Sequence, residues 1–313
     1  MKRATKGLLI AAAVLLLALA GITAAVWAPD RSVAELSAKW APLPSQFITV
    51  NGMQVHLRDE GPREDPLPIV LLHGTSASLH TWDGWTAELA KTRRVIRFDM
   101  PGFGLTGPAP DNDYALASYV KFVTGVADAL ALQKFVLAGN SLGGRIAWEV
   151  ALAHPGRVEK LILVDAGGYP LGDNSMPIGF RIAMTPGLSH LMDYTLPRAM
   201  VASSVRDVYG DPAKVTPALV DRYYDLTLRA GNRAALRERF KQQDFADESA
   251  RIRQLRQPTL VIWGRKDKLL LPSFAERFGR DIANSEVVMF DALGHVPHEE
   301  DPQATLAPVL KFL

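Results

Sequence analysis

The sequence predicts an α/β fold in which a mostly parallel central sheet is flanked by helices. Short apolar runs that end in glycine, such as PIVLLHG (residues 68–74) and PTLVIWG (residues 258–264), are typical of strands buried on both faces. These runs alternate with helix-like stretches, as expected when helices cover a parallel sheet. The alternation stops over residues 167–250, where helical patterns without a convincing strand predict an inserted helical cap.

The N-terminal segment, residues 1–29, predicts a transmembrane helix that anchors the chain. Lys2, Arg3 and Lys6 are followed by a run without charge, residues 7–29. As a helix this run would span ~34 Å, enough for a ~30 Å hydrocarbon core. The basic flank predicts a cytoplasmic N-terminus and a body outside the cytoplasm, periplasmic or extracellular. A signal peptide cleaved after the ALA of residues 18–20, followed by secretion, is the alternative.

The next elements are a linker and a hairpin. Residues 30–45 begin as a short amphipathic piece and end rich in proline, so we expect a linker. Two alternating apolar runs flank Asn51-Gly52, a strong signal for a β-hairpin. The hairpin begins the predicted core, which comprises residues 46–166 and 251–313.

The core then continues as strands separated by helices. After the strand at 68–74, three further apolar strands are predicted before the cap. A helical pattern over residues 81–94 precedes the first of them, and another over residues 114–132 precedes the second. Those strands lie within residues 95–104, 134–139 and 157–168, and two more follow the cap within residues 258–264 and 286–294. Inside the cap, helical patterns cover residues 180–194, 197–209, 217–230 and 233–243.

Composition excludes several classes of function. The chain has no cysteine, which rules out disulfides, a cysteine nucleophile and cysteine-ligated metal. The net charge is +2, and the three basic residues of the N-terminal segment leave the remainder near −1. A body this close to neutral offers no electrostatic basis for binding nucleic acid.

The pentapeptide GNSLG, residues 139–143, matches the pattern G-x-S-x-G between a predicted strand and a predicted helix. The turn is tight, so side chains two residues from the serine would clash, which explains Gly139 and Gly143. A serine in this turn projects its hydroxyl above the sheet at the N-terminus of the next helix. Ser141 is therefore the predicted nucleophile; a glycine-rich packing turn with an incidental serine is the alternative.

A serine nucleophile requires a base and an acid that orients the base. Asp267 and His295 each follow a predicted strand, and the loops at the carboxyl ends of parallel strands converge over the sheet. The chain order Ser, Asp, His is the order expected with this turn. Asp165 is the rival for the acid, and His298 is the rival for the base.

The oxyanion formed during acyl transfer requires backbone donors. We expect one from the N–H of Leu142, directly after the nucleophile, and another from the N–H of Thr75, in the loop after an early strand. His73 and Asp99 are interpreted as residues that shape neighbouring loops. Such a site requires no metal ion and no organic cofactor.

Together these residues resemble the α/β-hydrolase superfamily from residue 46 to residue 313. The matching motifs, in the order typical of the superfamily, are HG at 73–74, DMPGFG at 99–104, GNSLGG at 139–144, WGRKD at 263–267 and GH at 294–295. The resemblance implies a cap over residues 167–250 that forms the substrate pocket. Serine at position 141 disfavours the branches with an aspartate nucleophile, the haloalkane dehalogenases and epoxide hydrolases.

Within the superfamily, the sequence favours a carboxylic ester hydrolase, either a carboxylesterase or a lipase-like enzyme. Its elbow resembles that of both ring-cleavage (carbon–carbon bond) hydrolases and some exported bacterial lipases. After HG, however, the chain has TSASLHTW in place of the glycine-rich segment of the carbon–carbon hydrolases, and VPHEE follows His295. We therefore expect a small-molecule ester as substrate, cleaved through an acyl-enzyme.

Apolar side chains of the cap suggest a pocket for an apolar acyl group. They are Met176, Phe180, Met184, Leu188, Leu191, Met192, Tyr194, Leu196 and Met200. Helix faces that only pack on the core would show the same pattern. Three other functions stay open: a carbon–carbon bond hydrolase with the same triad, an acyltransferase, and a non-catalytic ligand-binding protein.

Overall fold

The computed structural model describes residues 5–7, 13–15, 17, 20–21, 26–170, 178–185, 188–242, 247 and 249–313. Its sheet contains β1 (Gln46–Val50), β2 (Met53–Glu60), β3 (Ile69–Leu72), β4 (Val95–Phe98), β5 (Phe135–Asn140), β6 (Val158–Val164), β7 (Thr259–Gly264) and β8 (Ser285–Phe290). The strand order is β1-β2-β4-β3-β5-β6-β7-β8. β1 and β2 run antiparallel to their neighbours, and the pairs from β4 to β8 are parallel.

The sheet confirms the predicted fold class and the predicted hairpin. β1 and β2 are joined by Asn51 and Gly52, whose φ angles of 50° and 80° are typical of a tight turn. Every residue of β3, β4, β5 and β7 is buried, as the uninterrupted apolar runs indicated.

Helices of the core cover both faces of the sheet. One face packs against α3 (Leu116–Ala129), α4 (Leu142–Ala153) and α10 (Ser273–Asp281), and the other against α2 (Asp83–Leu89) and α12 (Pro302–Phe312). The remaining helices are α1 (Val33–Trp40), α5 (Ile178–Met184), α6 (Arg198–Val208), α7 (Pro217–Thr227), α8 (Asn232–Lys241), α9 (Ser249–Ile252) and α11 (Pro297–Glu300), with 3₁₀ turns at Leu79–Trp82, Leu188–Asp193 and Pro212–Lys214.

Between β6 and β7 the described part of the chain forms helices joined by turns and loops, without a strand of the sheet. It contains α5 to α9 and two of the 3₁₀ turns, and it leaves the sheet at the ends of strands that also hold the candidate site. The bounds predicted for core and cap, residues 46–166 with 251–313 and residues 167–250, stay predictions.

The segment predicted as a linker, residues 30–45, contains α1 and contacts α7. The buried carboxylate of Asp225 on α7 accepts hydrogen bonds from Arg31 (2.9 Å), Lys39 (3.0 Å) and the indole of Trp40 (3.1 Å). Three donors on one buried carboxylate stabilise its charge, so this part of the segment is held against the inserted helices.

Much of the predicted transmembrane helix, including residues 8–12, 16, 18–19 and 22–25, lies outside the described residues. In the part of the chain that is described, no helix combines the length and apolar character needed to cross a membrane. The structure therefore gives the predicted anchor no support.

Candidate active site

The predicted nucleophile lies at a sharp turn between β5 and α4. Ser141 has φ 55° and ψ −116°, a backbone conformation that non-glycine residues rarely adopt. Its N–H donates to the carbonyl of Val164 (3.1 Å), and its own carbonyl accepts from Gly167 and Arg145 (3.0 Å each). These bonds hold the strained residue in place and leave it partly exposed.

Glycines around the turn allow the backbone to approach itself closely. A Cβ atom on Gly139 would lie 2.2 Å from the carbonyl oxygen of Gly143, and one on Gly143 would lie 2.3 Å from the carbonyl oxygen of Leu72. Neither position accepts a side chain without a backbone shift, which is the physical reason for the two glycines of the motif.

His295 and Asp267 meet above the carboxyl ends of β7 and β8. The His295 Nδ1 atom lies 2.7 Å from Asp267 Oδ2, and both residues are 4% exposed. The other carboxylate oxygen, Oδ1, accepts the backbone N–H groups of Leu269 (2.7 Å) and Leu270 (3.0 Å). With three donors facing it, the Asp267 carboxylate is fixed in the orientation that an imidazole N–H requires.

Asn140, the last residue of β5, joins the two loops of the site, a role that sequence reasoning did not assign. Its Nδ2 group donates to the carbonyl of His295 (2.9 Å) and to that of Val164 (3.1 Å). The Asn140 side chain therefore holds the backbone of His295 beside the serine turn. Among the described residues, no hydrogen bond joins the Ser141 hydroxyl to the His295 ring; such bonds often form only when substrate binds.

Glu300 on α11 was also missed, and it fixes the histidine loop from the other side. Its carboxylate accepts the N–H groups of Gly210 (2.8 Å), Asp211 (2.8 Å) and Gly294 (2.9 Å). In addition, the His295 N–H donates to the carbonyl of Val208 (2.8 Å). The loop that bears the histidine is thus bonded directly to the end of α6.

The two rivals of the predicted acid and base lie nearby but differ in their contacts. His298 is fully buried, contacts Thr81 Oγ1 through Nε2 (3.1 Å) and stacks on Trp82, with ring centroids 4.0 Å apart. Burial lowers its pKa well below the usual range, so the ring is neutral and packs in the core. Asp165 makes no hydrogen bond to His295 among the described residues; its Oδ1 accepts the N–H of Gly264 (3.0 Å).

The loop after β3 lies against the serine turn. A Cβ atom on Gly74 would lie 2.9 Å from Asn140 Oδ1 and 3.2 Å from Ser141 Cβ. Thr75 follows directly, and Leu142 is the first residue of α4, where a backbone N–H has no acceptor within the helix. Both N–H groups are therefore near the nucleophile, and their part in an oxyanion hole stays a prediction.

His73 and Asp99 shape these loops, as interpreted from the sequence. His73 Nδ1 donates to the carbonyl of Gly74 (2.8 Å), and its Nε2 accepts the N–H of Met100 (3.0 Å). Asp99 accepts the N–H groups of Leu79 and Leu105 (2.8 Å each) and contacts the His56 ring at 2.7 Å. Both side chains are fully buried and engaged, so neither is available for proton transfer to a substrate.

The structure places the cap side chains that were expected to line an acyl pocket in different surroundings. Met192 and Leu196 are buried in packing clusters, whereas Met184 and Tyr194 are 39% and 60% exposed. Met176 lies outside the described residues. A small cavity does lie beside the loop after β3, and its walls include Ser76, Ala77, Phe103, Leu226, Asn232 and Leu236.

Comparison with known proteins identifies relatives over most of the chain. A family model described as the alpha/beta hydrolase fold matches residues 68–302. A 2-hydroxy-6-oxo-2,4-heptadienoate hydrolase from Pseudomonas putida is 29% identical, covering 86% of this chain and 95% of the relative. A 2-hydroxymuconate semialdehyde hydrolase from Pseudomonas sp. (strain CF600) is 31% identical, covering 82% and 88%. The crystal structure of a meta-cleavage product hydrolase from Pseudomonas fluorescens IP01 is similar with a TM-score of 0.73, at 27% identity over 85% of this chain and 96% of the other.

These relatives contradict the expected ester hydrolase. One curated relative is named as a hydrolase of 2-hydroxy-6-oxo-2,4-heptadienoate and the other as a hydrolase of 2-hydroxymuconate semialdehyde, which matches the carbon–carbon alternative and not the carboxylesterase or lipase. The error has a physical cause, because a serine, a histidine and an aspartate serve both reactions and the bond that breaks is decided by the substrate. The segments that follow HG and His295 therefore did not distinguish carbon–carbon hydrolases from ester hydrolases.

Proposed function

Because the chain belongs to the α/β-hydrolase family, we propose that it hydrolyses a carbon–carbon bond in small 2-hydroxy-6-oxo-dienoates. The observation that supports this is the pair of curated relatives, which are matched over 82% or more of this chain and 88% or more of their own length. The family match over residues 68–302 includes the serine turn, both loops of the site and the helices between β6 and β7.

The chemistry of such a substrate suits a serine site. In 2-hydroxy-6-oxo-2,4-heptadienoate, moving the hydroxyl proton to C5 produces a ketone at C2 and leaves a saturated C5 beside the C6 ketone. Breaking the C5–C6 bond then sends its electron pair to C5, and conjugation through C4 and C3 delocalises the charge onto the C2 oxygen. A carbon leaving group is thus made acceptable without a metal or an organic cofactor.

The side chains of the site have the following proposed roles. Ser141 Oγ adds to C6 while His295 Nε2 takes its proton, and Asp267 stabilises the imidazolium through Nδ1. The imidazolium then protonates the departing dienolate. Water, activated by the same His295, attacks the acyl group on Ser141, so one oxygen of water enters the acid and the serine is regenerated.

Backbone donors stabilise the negative charge on the C6 oxygen. We assign the N–H groups of Leu142 and Thr75 to this role because the first begins α4 and the second lies in the loop packed against the turn. Removing one donor of this kind costs other hydrolases roughly 10²- to 10³-fold in kcat.

Product analysis in water enriched in oxygen-18 tests the proposal. Incubated with 2-hydroxy-6-oxo-2,4-heptadienoate, the protein should release acetate with one heavy oxygen and an unlabelled 2-hydroxypenta-2,4-dienoate, detected by mass spectrometry. Ser141→Ala should reduce the rate by a factor on the order of 10⁴ or more. Unconsumed dienoate, or equal turnover by Ser141→Ala, would contradict the proposal.

We also propose that residues 7–29 attach the chain to a membrane and place its body outside the cytoplasm. The uncharged run behind three basic residues supports this. Fractionation of cells that produce the native chain and Leu15→Arg/Leu17→Arg tests it, since charges within a membrane helix are costly. Membrane association lost in the variant is the expected result, and a native chain found wholly in the cytoplasmic fraction contradicts it.

A further inference from the structure

A second buried carboxyl group lies behind the proposed catalytic acid. Asp165 directly follows β6 and is fully buried. Its Oδ1 accepts the N–H of Gly264, whereas its Oδ2 has no hydrogen-bond donor facing it among the described residues. One ligand atom from each of Asp165, Asp267 and His295 lies within 4.8 Å of the other two. The proposed mechanism gives Asp165 no role.

Two carboxyl groups this close in a buried site do not both ionise, because each negative charge disfavours the other. Asp267 has three donors, the two backbone N–H groups and the His295 ring, which stabilise its charge. Asp165 has one, and the carboxylate of Glu300 adds a further negative charge nearby. Burial, followed by the charge on Asp267, raises the pKa of Asp165 well above its usual range.

We propose that Asp165 is a positioning residue that stays protonated at neutral pH and donates its Oδ2–H to the carboxylate of Asp267. The fourth hydrogen bond would fix that carboxylate against His295 and satisfy the otherwise unpartnered oxygen of Asp165. This inference rests on the proposed roles of Asp267 and His295 in catalysis.

Infrared spectroscopy tests the protonation directly and needs no substrate. The difference spectrum between the native protein and Asp165→Asn at pH 7 should show the C=O stretch of a protonated carboxylic acid in the native protein only. A difference spectrum with the bands of an ionised carboxylate would overturn the proposal. Because turnover is not involved, failure of the proposed carbon–carbon hydrolysis would leave this result intact.

Kinetics test the positioning role. In Asp165→Asn the amide can donate to Asp267 and accept from Gly264, so kcat should stay within about threefold of native, with an unchanged acidic limb in the pH profile. Asp165→Ala removes the donor and should lower kcat by about tenfold at similar KM. If Asp165 were instead ionised, Asp165→Asn would remove a negative charge near His295 and shift the acidic limb down by about one pH unit or more.

Labelling of Ser141 by a serine-directed fluorophosphonate provides the same pH profile if no substrate is found. Equal profiles for native protein and Asp165→Asn, with slower labelling of Asp165→Ala, are the expected results. Native-like kcat and labelling in Asp165→Ala would show that the hydrogen bond has no effect on His295 and would overturn the positioning role.

Discussion

Replacing Glu300 should destabilise the fold and misplace His295. The Glu300 side chain is 7% exposed and accepts three backbone N–H groups, from Gly210, Asp211 and Gly294. In Glu300→Ala all three donors lose their acceptor inside the protein. A buried donor without a partner costs about 1–3 kcal/mol, and Gly294 is buried and Gly210 half-buried while Asp211 is exposed, so the expected loss in free energy of unfolding is about 2 kcal/mol or more.

Glu300→Gln keeps a side chain of nearly the same size and removes one of the two acceptor oxygens, so it tests the contribution of the acceptors alone. Its single carbonyl oxygen can accept the two donors that face Oε2, Gly210 and Gly294, while its NH₂ group faces the N–H of Asp211. The N–H of Asp211 then lacks an acceptor inside the protein, but Asp211 is exposed and water can replace the acceptor, so the expected loss is about 1 kcal/mol. Glu286→Gln, at an exposed position on β8, is the matched control and should stay within about 0.5 kcal/mol of native.

Urea unfolding followed by tryptophan fluorescence measures these losses, and kcat measures the position of His295. Because Gly294 directly precedes His295, Glu300→Ala should also lower kcat by roughly 10- to 100-fold under conditions where the variant is folded. A loss in free energy of unfolding below about 1 kcal/mol in Glu300→Ala would refute the reasoning. A loss in Glu286→Gln equal to that in Glu300→Ala would refute it as well.

Three further predictions concern the turn, the triad and buried histidines. Gly139→Ala should lower the free energy of unfolding by roughly 2 kcal/mol or more and should abolish fluorophosphonate labelling, because its Cβ would meet the Gly143 carbonyl at 2.2 Å. Gly156→Ala, with open space around its Cβ, should change neither the stability nor the labelling. Asp267→Asn should lower kcat on the order of 10⁴-fold while unfolding near the native urea concentration, and native-like kcat would refute its role. Burial lowers the pKa of His80 to about 4. His80 therefore binds a proton below about pH 6.5 in the unfolded chain but only below about pH 4 in the folded protein. Stability should therefore fall by up to about 3 kcal/mol over that window, and a urea series in which His80→Gln has the same slope as native would contradict this.

Sequence patterns predicted the sheet because its strands are buried on both faces. Runs such as those of β3 and β7 have one apolar residue after another and end at or near glycine, and this short length between turn signals favours a buried strand over a helix. The same topology explains the placement of Asp267 and His295, since strand ends of a parallel sheet converge.

Contacts between distant parts of the chain could not be predicted. Asn140 donates to the carbonyl of His295, 155 residues away, and Glu300 joins the nearby Gly294 to Gly210, 90 residues away; nothing in the immediate neighbours of Asn140 and Glu300 indicates these partners. Likewise, Asp225 holds the segment expected to be a linker through donors 185 to 194 residues away. The sequence alone also favoured an ester as substrate, because the same triad residues serve the cleavage of an ester bond and of a carbon–carbon bond.

The most direct test of the account is the ratio of kcat/KM for 2-hydroxy-6-oxo-2,4-heptadienoate to kcat/KM for p-nitrophenyl acetate, measured on one preparation of the native protein. Carbon–carbon hydrolysis as the main activity predicts a ratio well above one, with both rates abolished in Ser141→Ala. A ratio below one, or no turnover of the dienoate beside rapid ester cleavage, would contradict it.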